Sequence, residues 1–177
     1  TVSIDNIGGT GSATRHLIKC GHKKVGYMKS SVPIRNFEER YFAYTQALND
    51  AGLEPTDVIE LEPNMEGSYR NMMQWLSENN LRSTAFVGDN DFIVLGAIRA
   101  LRENNIRLGR DISVVGFDDL PFARINEPTL TTVRVFNDIM GKSAFRRLTE
   151  VIQKPDAPYI HTQIGTSLKI RNSVTSI

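Results

Sequence analysis

One cysteine, Cys20, stands among 177 residues. No disulfide can form within the chain, and a reducing cytoplasm is the expected setting. Histidine is scarce as well. His16, His22 and His161 fall at spacings that match no metal-ligand pattern, and no serine sits in a nucleophile-elbow context. No metal, cofactor or catalytic constellation is expected. A charge excess of either sign is missing too: 21 Lys and Arg face 20 Asp and Glu, a net charge of +1, so no basic surface for nucleic acid stands out. No apolar run approaches a membrane span and no signal peptide is visible. The chain opens on a strand without an initiator Met, so it reads as the continuation of something longer. Repeats, low-complexity tracts and linkers are absent.

The composition that remains is that of an ordinary globular protein, 40% hydrophobic, long enough for one domain or for one domain and part of a second. Short apolar runs alternate with amphipathic segments. That pattern predicts βαβ units and a doubly wound parallel α/β sheet with helices on both faces. Strands are expected over 2–4, 25–28, 58–61, 85–87, 112–117, 131–135 and 163–170. Helices are expected over 11–20, 38–51, 68–78, 91–104 and 139–153, with Gly52 as a C-cap after the second.

Four places could carry chemistry. Gly9-Thr10-Gly11-Ser12-Ala13-Thr14 has the look of a dinucleotide-binding glycine loop, but Thr14 replaces its third glycine and four residues separate it from the strand. Small residues packing closely at a helix N-terminus account for it better. Asp118-Asp119 follow the strand over 112–117, at the edge where open α/β sheets bind ligands. Adjacent carboxylates diverge, so a shared-proton dyad or a two-metal site is disfavoured. One is expected to face the cleft and the other to cap the turn at 120–122. Arg40 offers a fixed fork of donors suited to carboxylates or vicinal hydroxyls. In Gly88-Asp89-Asn90-Asp91, Asp89 or Asn90 is the expected cap of the next helix, and where Asp89 or Asp91 handles the backbone the Asn90 amide can face a ligand.

Several segments, in order, resemble the LacI/GalR family of bacterial transcription regulators. They are Ser3-Ile4-Asp5-Asn6 with Ala13 to Ile18 and Gly21 to Gly26, Arg40-Tyr41-Phe42-Ala43-Tyr44, Thr84 to Asp91 with Leu95 to Leu101, Asp111 to Asp119, Pro128 to Val133, Met140-Gly141 and Leu168 to Ser173. The resemblance covers nearly the whole chain. It implies a periplasmic-binding-protein-like core of two lobes with an effector between them. Residues 6–133 and 163–177 would form the C-terminal lobe, and 134–162 would be a helix and strand of the N-terminal lobe. The DNA-binding helix-turn-helix would lie outside this sequence.

The resemblance also implies effector contacts at Arg40, Asn90 and Asp118, with Tyr69 as an aromatic platform and Asn36 as a further polar contact. The effector would be a sugar or sugar derivative ahead of a purine. It implies a homodimer using Arg70, Leu95, Arg99, Ile125 and Asn126, and operator contact only through the missing domain. Ala43 stands where many members have Gly, and a second polar contact seen in some members has no counterpart over 34–38. Two other functions compete: a sugar-binding protein of a transporter, which shares the fold, and an α/β enzyme using Asp118 and Asp119.

Overall fold

The computed structural model describes residues 1–156 and 158–177. In chain order its elements are β1 (Val2–Ile4), α1 (Asn6–Lys19), β2 (Val25–Ser30), α2 (Arg35–Asn49), β3 (Val58–Leu61), α3 (Met65–Glu78) and β4 (Ala85–Gly88). They continue with α4 (Asp91–Glu103), β5 (Ser113–Asp118), α5 (Pro121–Ile125), β6 (Thr131–Arg134), α6 (Asn137–Gln153), β7 (Thr162–Ile164) and β8 (Ser167–Lys169). A six-stranded sheet runs β3-β2-β4-β5-β6-β8, and a separate two-stranded sheet pairs β1 with β7. The large sheet is parallel except for β8, which closes one edge antiparallel to β6.

Period-two alternation along buried strands sends successive side chains to opposite faces. Tyr27, Val87, Val115 and Phe117 join Leu17, Tyr44 and Leu48 in one core. Met28, Phe86 and Val114 join Met72, Ile93 and Ile98 in the other. Helices α1 and α2 pack together over the first core, and α3 and α4 over the second. The strand order reverses between β2 and β4, which makes that junction the topological switch point.

Two expectations about the chain's course shift. Helix α1 begins at Asn6, earlier than the periodicity indicates, because the Asp5 carboxylate caps it by accepting the Gly8 N–H at 2.8 Å. Gly8, Gly9 and Gly11 therefore lie inside a helix and form no phosphate loop. A Cβ on Gly9 would press on Val133 and Phe117, so the glycine serves close helix–sheet packing. The single strand expected over 163–170 is two strands in two sheets. The chain passes between sheets at Asp5, at Val135–Phe136 and at Gly165–Thr166. Residues 162–164 thus pair with β1, and the chain rejoins the large sheet at Ser167.

Helix α6 has no buried residue. Phe145, Leu148, Val151 and Ile152 are all more than half exposed, beside a groove of about 740 Å³ that Leu148, Val151 and Tyr159 help to line. Among the described residues, no helix is long and apolar enough to cross a membrane.

Candidate functional site

The C-terminal ends of β2, β4 and β5 converge on Arg40. This side chain reaches in from the second turn of α2 and is 4% exposed. Its Nε–H donates to Asn6 Oδ1 at 2.9 Å, and Nη1 donates to the Asp89 carbonyl. Nη2 stands 3.9 Å from Asp118 Oδ1, and the guanidinium carbon sits over the Phe117 ring, 3.7 Å from its centroid. A cation held on four sides cannot swing away, which gives its remaining N–H groups a fixed aim. Burial pulls its pKa down, while Asp118 and Asp89 oppose that pull.

Asp118 ends β5 with φ 113°, and Asp119 follows at φ 55°. Left-handed backbone at two successive residues is costly, and aspartate is among the side chains that tolerate it best. Buried Asp91, at the start of α4, supports the turn. Its Oδ2 accepts the Leu120 N–H at 2.8 Å, and its Oδ1 accepts the Thr132 hydroxyl at 2.7 Å. Gly116 makes room for that carboxylate, since a Cβ there would collide with Asp91 Oδ1. Burial, with Asp118 and Asp119 nearby, pushes Asp91 up to about 7. Burial pushes Asp118 to about 6 against the pull of Arg40.

Asp119 does not cap the turn as expected. It is buried and takes Arg124 Nη2 at 3.0 Å and Arg171 Nη2, which ties the C-terminal segment to the end of β5. Of the two expected cap candidates within 88–91, the structure uses Asn90. Asn90 itself caps α4, its Oδ1 accepting the Ile93 N–H at 2.8 Å, and its NH2 is free of protein partners among the described residues. Asp89 is buried and accepts from the Tyr27 hydroxyl and the Ser30 N–H, both at 2.6 Å. It therefore fastens β4 to β2 at the switch point, and burial raises it to about 6.

Asn36 belongs to the cluster. Its Oδ1 accepts from Asn6 Nδ2 at 3.3 Å, and the same Asn6 amide donates to Glu39 Oε2 at 2.9 Å. Arg40, Asn36, Asn90 and Asp118 thus share one edge. Tyr69 does not join them. Its hydroxyl donates to Glu103 at 2.6 Å and Arg99 covers its ring at 4.2 Å. That level of α4 lies nine residues, roughly 13 Å at the helical rise, from Asn90. Leu95 is also corrected: it is 7% exposed and packed in the core, because α4 is wedged between the sheet and α3 and buries more than one face. Arg70, Arg99, Ile125 and Asn126 remain on or near the surface. Asn6, Asp89 and Asp91 carry the site's internal bonds; the two aspartates stand out in the sequence, but their partners Tyr27, Ser30, Leu120 and Thr132 do not. Asn6 lies in the Asp5-Asn6 pair at the sheet crossover, and only that pairing pointed to it.

A doubly wound sheet with a polar cluster at its switch point, joined by three crossovers to a second small sheet, defines a periplasmic-binding-protein-like effector lobe. Residues 14–174 match the family model described as "Periplasmic binding protein-like domain". The chain is 36% identical over 170 residues to the HTH-type transcriptional repressor PurR of Haemophilus influenzae, covering 93% of this chain and 50% of that protein. A transcriptional regulator CelR–cellobiose complex superposes with a TM-score of 0.90 at 30% identity, over 97% of this chain and 53% of that one. The lac repressor dimer bound to operator and the anti-inducer ONPF gives 0.91 at 26% identity, over 99% and 52%. The chain belongs to the LacI/GalR family of transcription regulators, and it spans about half the length of the curated relatives it matches.

Proposed function

We propose that this chain is the C-terminal part of the effector-sensing core of a sugar-responsive transcriptional repressor. The observation that carries the reading is the convergence of Arg40, Asn90 and Asp118 on one edge at the switch point, with Asn36 beside them. A sugar hydroxyl both donates and accepts. Asp118 would take its hydrogens, while Arg40 and the Asn90 NH2 would give theirs. The cellobiose bound by a structural neighbour supports a sugar ahead of a purine.

Residues 6–133 with the segment after β7 act as the C-terminal lobe, and α6 with β1 and β7 contributes to the N-terminal lobe. An isolated two-stranded sheet is marginal in water, and the exposed apolar face of α6 supplies a surface for the rest of that lobe. The effector binds between the lobes and shifts their relative arrangement. A helix-turn-helix outside this sequence reads that shift at an operator, in the cytoplasm and as a homodimer. The regulators among its relatives favour this over a transporter's binding protein and over an enzyme.

Thermal unfolding of the whole gene product against sugars and purines tests the reading, since a ligand that binds the folded state raises its melting temperature. Asp118→Ala should weaken the ligand so found by roughly 1–3 kcal/mol, the cost of leaving its buried polar partner unmatched. Unchanged affinity in that variant would remove Asp118 from the site.

A further inference from the structure

The charges around the cluster narrow the ligand further, on the reading just given. The charge of Arg40 is already countered: Nη2 faces the Asp118 carboxylate, while Nε–H donates to Asn6 and Nη1 to the Asp89 carbonyl, so the N–H groups that remain suit a neutral hydroxyl. The other cations along this edge also face carboxylates. Arg35 binds Glu39 at 2.7 Å, Arg124 and Arg171 bind Asp119, Arg134 lies 4.0 Å from Asp119, and Lys29 lies 3.7 Å from Glu60.

The helix ends give an anion no better purchase. A free helix N-terminus attracts phosphate, but α4 is capped by the Asn90 side chain and carries buried Asp91 in its first turn. Helix α2 carries Glu38 in its first turn. Asp89 and Asp91 add two buried carboxylates directly behind the edge. A phosphate placed against Asp118 would therefore meet like charge from Asp118 and from Asp89 and Asp91 behind it, with Arg40 already facing one of those carboxylates. A hydroxyl placed there donates to the same carboxylate.

We propose that this site takes an uncharged polyhydroxylated ligand and excludes the phosphorylated and acidic forms of that ligand. The repressor then reports the free sugar, before any step that adds phosphate or oxidises it to an acid.

Calorimetry on the whole gene product at pH 7.5 tests this with matched pairs: D-galactose and its 6-phosphate, D-ribose and its 5-phosphate, cellobiose and its 6-phosphate, and D-glucose and D-gluconate. In any pair that binds, the uncharged member should bind at least tenfold tighter. Asp118→Asn removes one negative charge and one acceptor, so it should shrink that ratio by about tenfold. A charged member that binds as tightly as its partner, or a ratio unchanged in Asp118→Asn, overturns the inference and leaves the sugar-sensor reading standing. Silence across all the pairs overturns the sugar-sensor reading and this inference with it.

Discussion

The buried carboxylates are the most informative single residues of this protein. Asp91 is fully buried and raised from an ordinary 3.8 to about 7, while Asp89 and Asp118 rise to about 6. The folded state keeps protons on these groups that the unfolded chain has already released. It therefore binds more protons than the unfolded state between about pH 4 and pH 7. The stability they contribute is complete below about pH 4 and is lost as pH rises through 6 to 7. Asp91→Asn removes the largest of the three responses, and each tenfold difference in proton affinity between the folded and unfolded states is worth on the order of 1.4 kcal/mol. Urea unfolding at pH 4.5 and pH 7.5 should show the variant losing less stability over that interval than the parent. Equal losses would show that Asp91 titrates in the folded state as it does in the unfolded one.

Strand β5 and helix α4 act as one device, because Asp91 at the start of the helix holds the turn that ends the strand. Gly116→Ala keeps every polar group yet puts a methyl where the Asp91 carboxylate lies. Overpacking of this kind costs roughly 1–3 kcal/mol. The displaced carboxylate should also release Leu120 and Asp118, so effector affinity should fall beyond what the stability loss accounts for. Calorimetry well below the variant's melting temperature separates the two effects. Helix α3 gives the opposite expectation. Tyr69 is bound to Glu103 far down α4, so Tyr69→Ala, which removes the ring a platform would need, should leave effector affinity unchanged in a titration well below the variant's melting temperature, and a tenfold loss would return Tyr69 to the site.

At the scale of the whole molecule, the proposed dimer rests on a face made by α3, α4 and the end of α5. Arg70 and Arg99 are exposed there, Ile125 is 79% exposed, and Arg102 Nη2 donates to Asn126 Oδ1 at 3.2 Å, which joins α4 to the α5 turn. A two-fold axis would bring this patch against its copy. Ile125→Asp should leave folding stability within about 0.5 kcal/mol, as surface changes do, and shift the whole gene product from dimer to monomer in sedimentation velocity. Leu95→Glu is no test of the interface, since a charge at that buried position disrupts the core. A dimer unaffected by Ile125→Asp would place the interface elsewhere.

Much of this was legible in the sequence because it depends on local pattern. Alternating apolar runs announce buried strands, amphipathic runs announce the helices between them, and Asp118, Arg40 and Asn90 could be picked out once the family's segments were seen in order. What the sequence could not carry was long-range pairing. Nothing local says that β1 pairs with β7 across 160 residues of chain, that residues 163–170 break between two sheets, or that Asp89 bonds Tyr27 and Ser30. The same holds for Tyr69 and Leu95. Their residue types suit a ligand platform and a helix-surface contact, but whether a helical side chain meets ligand, partner or core depends on what packs against that helix. Only the assembled tertiary structure, with α3 laid over α4 and both over the sheet, decides that.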